Sequence, residues 1–129
     1  MKRLIVLDTN LLLAAVQFRF DLSAELERIR TFDYTLATLD QCVHELEKLA
    51  QSKGKTKQEA QLAIALLHHL SITPLEGRGK YADDSLLLFA NAIIATVDAQ
   101  LIKKLIKLKR PYITVRQKKY LTLEGDHNL

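Results

Sequence analysis

A single cysteine, Cys42, excludes an internal disulfide, so the chain needs no oxidising compartment to fold. No apolar run reaches the ~18 residues of a membrane span. The apolar stretch behind Met1-Lys2-Arg3 is broken by Asp8 and Asn10 and has no small-residue cleavage site. No secretory signal is therefore expected, and the cytoplasm is the default location. Glycine-rich phosphate loops of the P-loop and dinucleotide types are both missing. The four histidines, His44, His68, His69 and His127, lack zinc-ligand spacing, and His68-His69 reads as a helix-face feature. Internal repeats, low-complexity tracts and long linkers are absent too. The 129 residues are expected to form one domain, 1–129, large enough for one sizeable core.

What is present is an alternation of short apolar runs and helical periodicities. Arg3–Leu7 is apolar and β-branched, and reads as a buried parallel strand. Further strands are expected at Tyr34–Ala37, at Ser71–Thr73 ahead of Pro74, at Ala92–Ala95, and at Tyr112–Val115 after Pro111. Tyr120–Leu123 is a small edge candidate outside these five. Helices are expected at Leu11–Phe18, at Leu22–Arg30 behind an Asp21 N-cap, and at Gln41–Gln51 behind an Asp40 N-cap. Others follow at Lys57–Leu70 with Leu62, Leu66 and Leu70 in register, at Asp84–Ala90, and at Ala99–Leu108. Strands separated by helices imply right-handed crossovers and a parallel sheet covered on both faces.

The acids stand at telling places. Asp8 follows the first strand directly, Asp83 and Asp84 precede one helix, and Asp98 follows the fourth strand and precedes another. Ligands of open α/β sheets bind at the carboxyl ends of strands. On the third helix, Cys42, Leu46 and Leu49 share a stripe widened by Val43 and Ala50. Glu45 flanks that stripe and leans toward a cleft beside the core, while His44 and Lys48 face solvent and Glu47 is the less favoured inward acid. Each helix-preceding acid can also be a plain N-cap. Four independent caps are the harder explanation. Converging carboxylates repel unless a cation neutralises them, and oxygen-only ligands suit Mg²⁺ or Mn²⁺ rather than zinc. Cations held this way serve phosphodiester hydrolysis. A haloacid-dehalogenase-type phosphatase would need a second Asp where Asn10 stands. Cys42 reads as a small core residue, not a nucleophile.

Charge is concentrated late. Eight of the 19 basic residues, and none of the 15 acids, fall between Asp98 and Glu124. Such a segment suits a polyanion such as nucleic acid, Lys103, Lys104, Lys107, Arg116, Lys118 and Lys119 being the candidate contacts. The bland alternative is a solvated helix face with snorkelling lysines.

The motifs in their order resemble the PIN-domain nucleases. Leu4-Ile5-Val6-Leu7-Asp8-Thr9-Asn10, the Glu of Val43-His44-Glu45-Leu46, Ala82-Asp83-Asp84 and Ala95-Thr96-Val97-Asp98 carry the resemblance over nearly the whole chain. The tail Tyr112-Ile113-Thr114-Val115-Arg116-Gln117-Lys118-Lys119-Tyr120-Leu121 is similar to an archaeal branch related to ribosomal-RNA-processing PIN nucleases. The resemblance implies a three-layer α/β fold, a five-stranded parallel sheet in order 3-2-1-4-5 with helices on both faces. It implies a Mg²⁺- or Mn²⁺-dependent endoribonuclease whose acidic cluster is Asp8, Glu45, Asp83 and Asp98. Asp83 is preferred because Ala90 then falls seven residues on, as in the family's helix pattern, and Asp84 is the alternative metal ligand. Thr9, Asn10 and Thr96 would orient carboxylates or water. The role implied is rRNA processing or a VapC-type toxin, with RNA as substrate and an antitoxin or ribosome-assembly protein as partner. A homodimer stays open and no membrane is involved. The competing readings are a PIN-fold RNA-binding or assembly module with little catalysis, and an α/β binding domain whose acids are only caps. The presence of all four acids weighs against the first of these.

Overall fold

The computed structural model describes residues 2–77, 89 and 91–125. The elements run β1 (Arg3–Leu7), α1 (Thr9–Phe18), α2 (Leu22–Ile29), β2 (Tyr34–Leu39), α3 (Asp40–Leu49) and α4 (Gly54–His69). They continue with β3 (Thr73–Leu75), β4 (Ile93–Ala95), α5 (Ala99–Lys107), β5 (Tyr112–Arg116) and β6 (Tyr120–Glu124). Of the helix expected over Asp84–Ala90, only Phe89 lies among the described residues.

The strands form one sheet in the order β3-β2-β1-β4-β5-β6. The first five are mutually parallel, in the expected order, with β1 between β2 and β4. The sheet has six strands rather than five: Tyr120–Glu124 pairs antiparallel with β5. The β5–β6 turn runs through Gln117 and Lys118, both at positive φ, closed by the Lys119 N–H donating to the Arg116 carbonyl at 3.0 Å. A turn of this hand matches the twist of the flanking strands but usually carries Asn or Gly. Its absence from the sequence cues is why the sixth strand reads weakly there.

Alternation along the central strands divides the core between two faces. Ile5 and Leu7 of β1, Ile93 and Ala95 of β4 and Ile113 of β5 face one side, where α1, α2, α3 and α4 contribute Leu11, Leu12, Leu22, Leu46, Ala63 and Leu67. Val6, Ile94 and Tyr112 face the other and meet Leu101 and Leu105 of α5 together with Cys42 of α3. Helices thus cover both faces, as a parallel sheet requires.

Local departures have local causes. Strand β3 starts at Thr73 rather than Ser71 because Ser71 takes a left-handed conformation (φ 51) that ends α4. Pro74 then lies inside β3, which is allowed because β3 is an edge strand whose outer side needs no N–H donor. Helix α4 begins earlier than its apolar periodicity, at Gly54, whose positive φ opens it. Its packed face is Ala60, Ala63 and Leu67, while Leu62 is exposed. Small residues there let α4 approach α1 closely. Asp40 is the first residue of α3 rather than its cap; its carboxylate accepts a hydrogen bond from the Gly77 N–H at 3.0 Å.

Candidate active site

Strand β1 ends on Asp8 in the middle of the sheet, and α1 starts on the next residue. Asp8 occupies the N-cap position of α1, yet its carboxylate Oδ1 accepts from the adjacent Thr9 N–H at 2.8 Å. An ordinary cap oxygen would reach the second or third helical N–H. The carboxylate is held instead among polar neighbours from other elements, and Asp8 is only 5% exposed. Thr96, the first residue after β4, donates its hydroxyl to Asp8 Oδ2 at 2.8 Å. The Cys42 thiol of α3 points at Asp8 Oδ1 from 3.9 Å. Burial pushes that thiol above its ordinary pKa, and the Asp8 and Glu45 charges add to the rise, so Cys42 stays protonated and acts as a weak donor. It is the small core residue the sequence suggests, with one further contact that its apolar surroundings do not announce.

Two further acids join through the threonines. The Thr9 hydroxyl donates to Glu45 Oε2 at 3.2 Å, bringing α3 to the start of α1. Glu45 itself is exposed, at the margin of the Cys42–Leu46 stripe where helical spacing puts it. On the other side, the Thr96 hydroxyl accepts the Asp98 N–H at 3.1 Å. Asp98 is half-buried and is a true N-cap: Oδ1 accepts from Gln100 N at 2.8 Å and Leu101 N at 3.2 Å. Its capping role and its place beside Asp8 therefore coexist. The result is a continuous run, Glu45–Thr9–Asp8–Thr96–Asp98, at the carboxyl ends of β1 and β4, with Glu45 reaching in from the middle of α3.

Register is held from outside this run. The Asp8 N–H donates to the Ala95 carbonyl at 2.9 Å and the Thr96 N–H to the Ile113 carbonyl at 2.9 Å. Thr38, fully buried, donates its hydroxyl to the Leu7 carbonyl at 2.8 Å. Sequence reasoning missed Thr38; a threonine one place before the end of a central strand was the only cue. Asn10 is exposed on the first turn of α1. Asp83 and Asp84 lie outside the described residues.

The donor chemistry fits a hard divalent cation: it is all oxygen apart from one protonated thiol. The Asp8 oxygens accept from Thr9, Cys42 and Thr96. Among the described residues, no three His, Cys, Asp or Glu side chains stand close enough to hold a metal ion by themselves.

The basic residues separate into two groups. Lys103, Lys104 and Lys107 are exposed along α5, which starts at the site and runs back toward the amino end of the sheet. Arg116, Lys118 and Lys119 are exposed at the tip of the β5–β6 hairpin. Leu7 is level with Ala95, and Ala95 with Ile113. Arg116 therefore projects three residues, about 10 Å, beyond that level at the same end as Asp8.

The fold and this acidic carboxyl end define a class. A family model described as a PIN like domain matches residues 5–118, and the chain belongs to that family. It is similar to the ribonuclease VapC4 of Methanocaldococcus jannaschii, with 34% identity over 128 residues covering 94% of this chain and 96% of the relative. In structure it is similar to the PIN domain endonuclease Utp24, with a TM-score of 0.78 and 22% identity over 95% of this chain and 92% of the other. A domain of a functionally unknown protein from M. jannaschii matches less closely, with a TM-score of 0.54 and 14% identity over 98% and 97% of the two chains. At those identities the two structures speak for the fold. Among the described residues, no helix is long and apolar enough to cross a membrane.

Proposed function

We propose that this protein is a Mg²⁺- or Mn²⁺-dependent endoribonuclease. The observation that carries the reading is the hydrogen-bonded run that ties Asp8, Glu45 and Asp98 together through Thr9 and Thr96. Asp8 and Asp98, with Asp83 or alternatively Asp84, would hold the cation. When bound, such a cation lowers the pKa of an attacking water and stabilises the leaving oxygen of a phosphodiester.

The chain's own groups do the positioning. The Thr96 hydroxyl fixes the Asp8 carboxylate and, through the Asp98 N–H, the start of α5. The Thr9 hydroxyl fixes Glu45, whose exposure leaves it able to accept a proton from water in the cleft. Asn10 is available for a polar contact to substrate. The exposed cations of α5 and the hairpin supply attraction for the RNA backbone.

Similarity to a VapC ribonuclease supports the toxin role and an antitoxin partner, whereas the tail Tyr112–Leu121 favours rRNA processing. RNA as substrate goes with a cytoplasmic location. The test is cleavage of labelled RNA by the purified protein with Mg²⁺ or Mn²⁺, with EDTA, and by Asp8→Asn. Cleavage that needs the cation and vanishes in the variant is the expected result. Full cleavage in EDTA, or an equally active Asp8→Asn, would overturn the mechanism.

A further inference from the structure

The end of α1 carries a feature that the acidic site does not use. Phe18, its last residue, is a large apolar side chain left 36% exposed. The Lys118 ammonium, from the hairpin tip, sits 5.7 Å from the centroid of that ring. Arg19 follows at a left-handed C-cap and is exposed, as are Arg116 and Lys119. Arg116 is partly neutralised by Glu124 at 3.4 Å, whereas Lys118 reaches over an aromatic face. Gln117 and Lys118 both hold positive φ with ordinary side chains, a conformation that costs energy and brings Lys118 to the ring.

Helix α1 starts at Thr9, beside Asp8, and its ten residues put Phe18 about 15 Å along the helix axis. The hairpin projects from the same end of the sheet as Asp8. An exposed aromatic under one ammonium, with Arg19 next to it in the chain and one helix length from the proposed phosphodiester-cleaving site, has the composition of a single-strand platform. Bases stack on the ring and phosphates meet the cations. Duplex RNA offers no free base face for such a ring.

We propose that Phe18 and Lys118 form a docking point for single-stranded RNA: an unpaired base stacks on Phe18, and Lys118 leaves the ring face for the adjoining phosphate. The inference rests on the ribonuclease reading and adds a place where an unpaired stretch of the RNA is held. A purely structural role for Lys118 also exists. The last turn of α1 has no basic residue, and the ammonium complements its dipole. That role changes stability without changing RNA affinity.

The experiment measures binding of a short single-stranded RNA containing 2-aminopurine, and of its duplex, in EDTA across about 50 to 200 mM salt. Wild-type protein, Phe18→Leu, Phe18→Trp and Lys118→Ala are compared, with thermal melts of each. Phe18→Leu should weaken single-strand binding roughly five- to hundred-fold, abolish 2-aminopurine quenching and leave the salt slope unchanged. Phe18→Trp should bind as well as wild type. Lys118→Ala should flatten the salt slope by about 0.7. Duplex binding should not respond to Phe18. If wild type binds and cleaves RNA but Phe18→Leu binds the single strand equally well, the platform is refuted and the ribonuclease reading stands. If wild type neither binds nor cleaves RNA, both fall. Altered melting in Lys118→Ala with an unchanged salt slope would leave only the structural role.

Discussion

Thr96→Val isolates what holds the candidate site together. The substitution keeps the branched shape of a fully buried side chain and removes only the hydroxyl. That hydroxyl donates to Asp8 Oδ2 at 2.8 Å and accepts the Asp98 N–H at 3.1 Å. A hydrogen bond to a buried charged group is worth about 1.5–3 kcal/mol, and the released Asp98 N–H adds a smaller cost because it is only part-buried. The expected loss is about 2–4 kcal/mol out of a total stability of order 5–15 kcal/mol. Denaturant unfolding measures it. Thr96→Ser is the control: it keeps both bonds, loses one methyl and should cost about 1 kcal/mol. The decisive comparison is the cycle with Asp8→Asn. With the charge at position 8 removed, Thr96→Val should cost about 1–2 kcal/mol less, because the strong bond is already weakened. A Thr96→Val protein as stable as wild type, or one that loses the same amount in both backgrounds, would refute the coupling of Thr96 to Asp8.

Asp8→Asn, Glu45→Gln and Asp98→Asn should each keep the fold and remove cation-dependent RNA cleavage, and pairs of them should lose no more than the singles; normal circular dichroism with full activity would exclude those roles. Asp98→Asn should also cost little stability, because Asn caps helices about as well as Asp. Changing Arg116, Lys118 and Lys119 together to Ala should weaken RNA binding and flatten its salt dependence, whereas Lys103→Ala or Lys107→Ala alone should do little; equal slopes across a salt series would remove the hairpin from the RNA surface. The hydrogen bonds that Arg28 donates to Glu25 hold that carboxyl below its ordinary pKa, so its contribution to stability is present above the unfolded value and fades as pH falls through the folded one. Glu25→Gln should therefore show a flatter stability profile than wild type from about pH 5 downward, read by thermal melts, and superimposable profiles would contradict it.

The parallel part of the sheet was legible because β1 is apolar on both faces, and only an interior strand satisfies that. The position of Glu45 was legible because α3 has a narrow apolar stripe with a definite margin. The packed face of α4 was not, because its buried positions are alanines, which signal burial weakly, while exposed Leu62 falls at the same helical spacing. The sixth strand read only as a small edge candidate because its turn lacks glycine and asparagine. Supporting places for Thr9 and Thr96 were implied only by the resemblance, and Thr38 had no cue beyond its place near the end of a central strand. A threonine hydroxyl bonded across elements has no local signature, since its partner is fixed by strand register. Asp83 and Asp84 lie outside the described residues.

The outer rim of β6 has a consequence for how this molecule can associate. Glu25 accepts the Leu121 N–H at 2.8 Å, and Arg28 donates to the Leu121 carbonyl at 2.6 Å. Two side chains one helical turn apart, braced against each other at 2.9 Å, thereby imitate a neighbouring strand. At the far rim, β3 is three residues long and contains Pro74, which has no N–H to offer. Neither end of the sheet invites a foreign backbone to extend it, so templated growth into fibres or strand exchange between copies is disfavoured. A protein binding this chain would then find side chains on its helices more open to it than the backbone groups of Leu121. Affinity would reside in surface chemistry that substitutions can retune, and related molecules sharing one backbone could each keep a different partner.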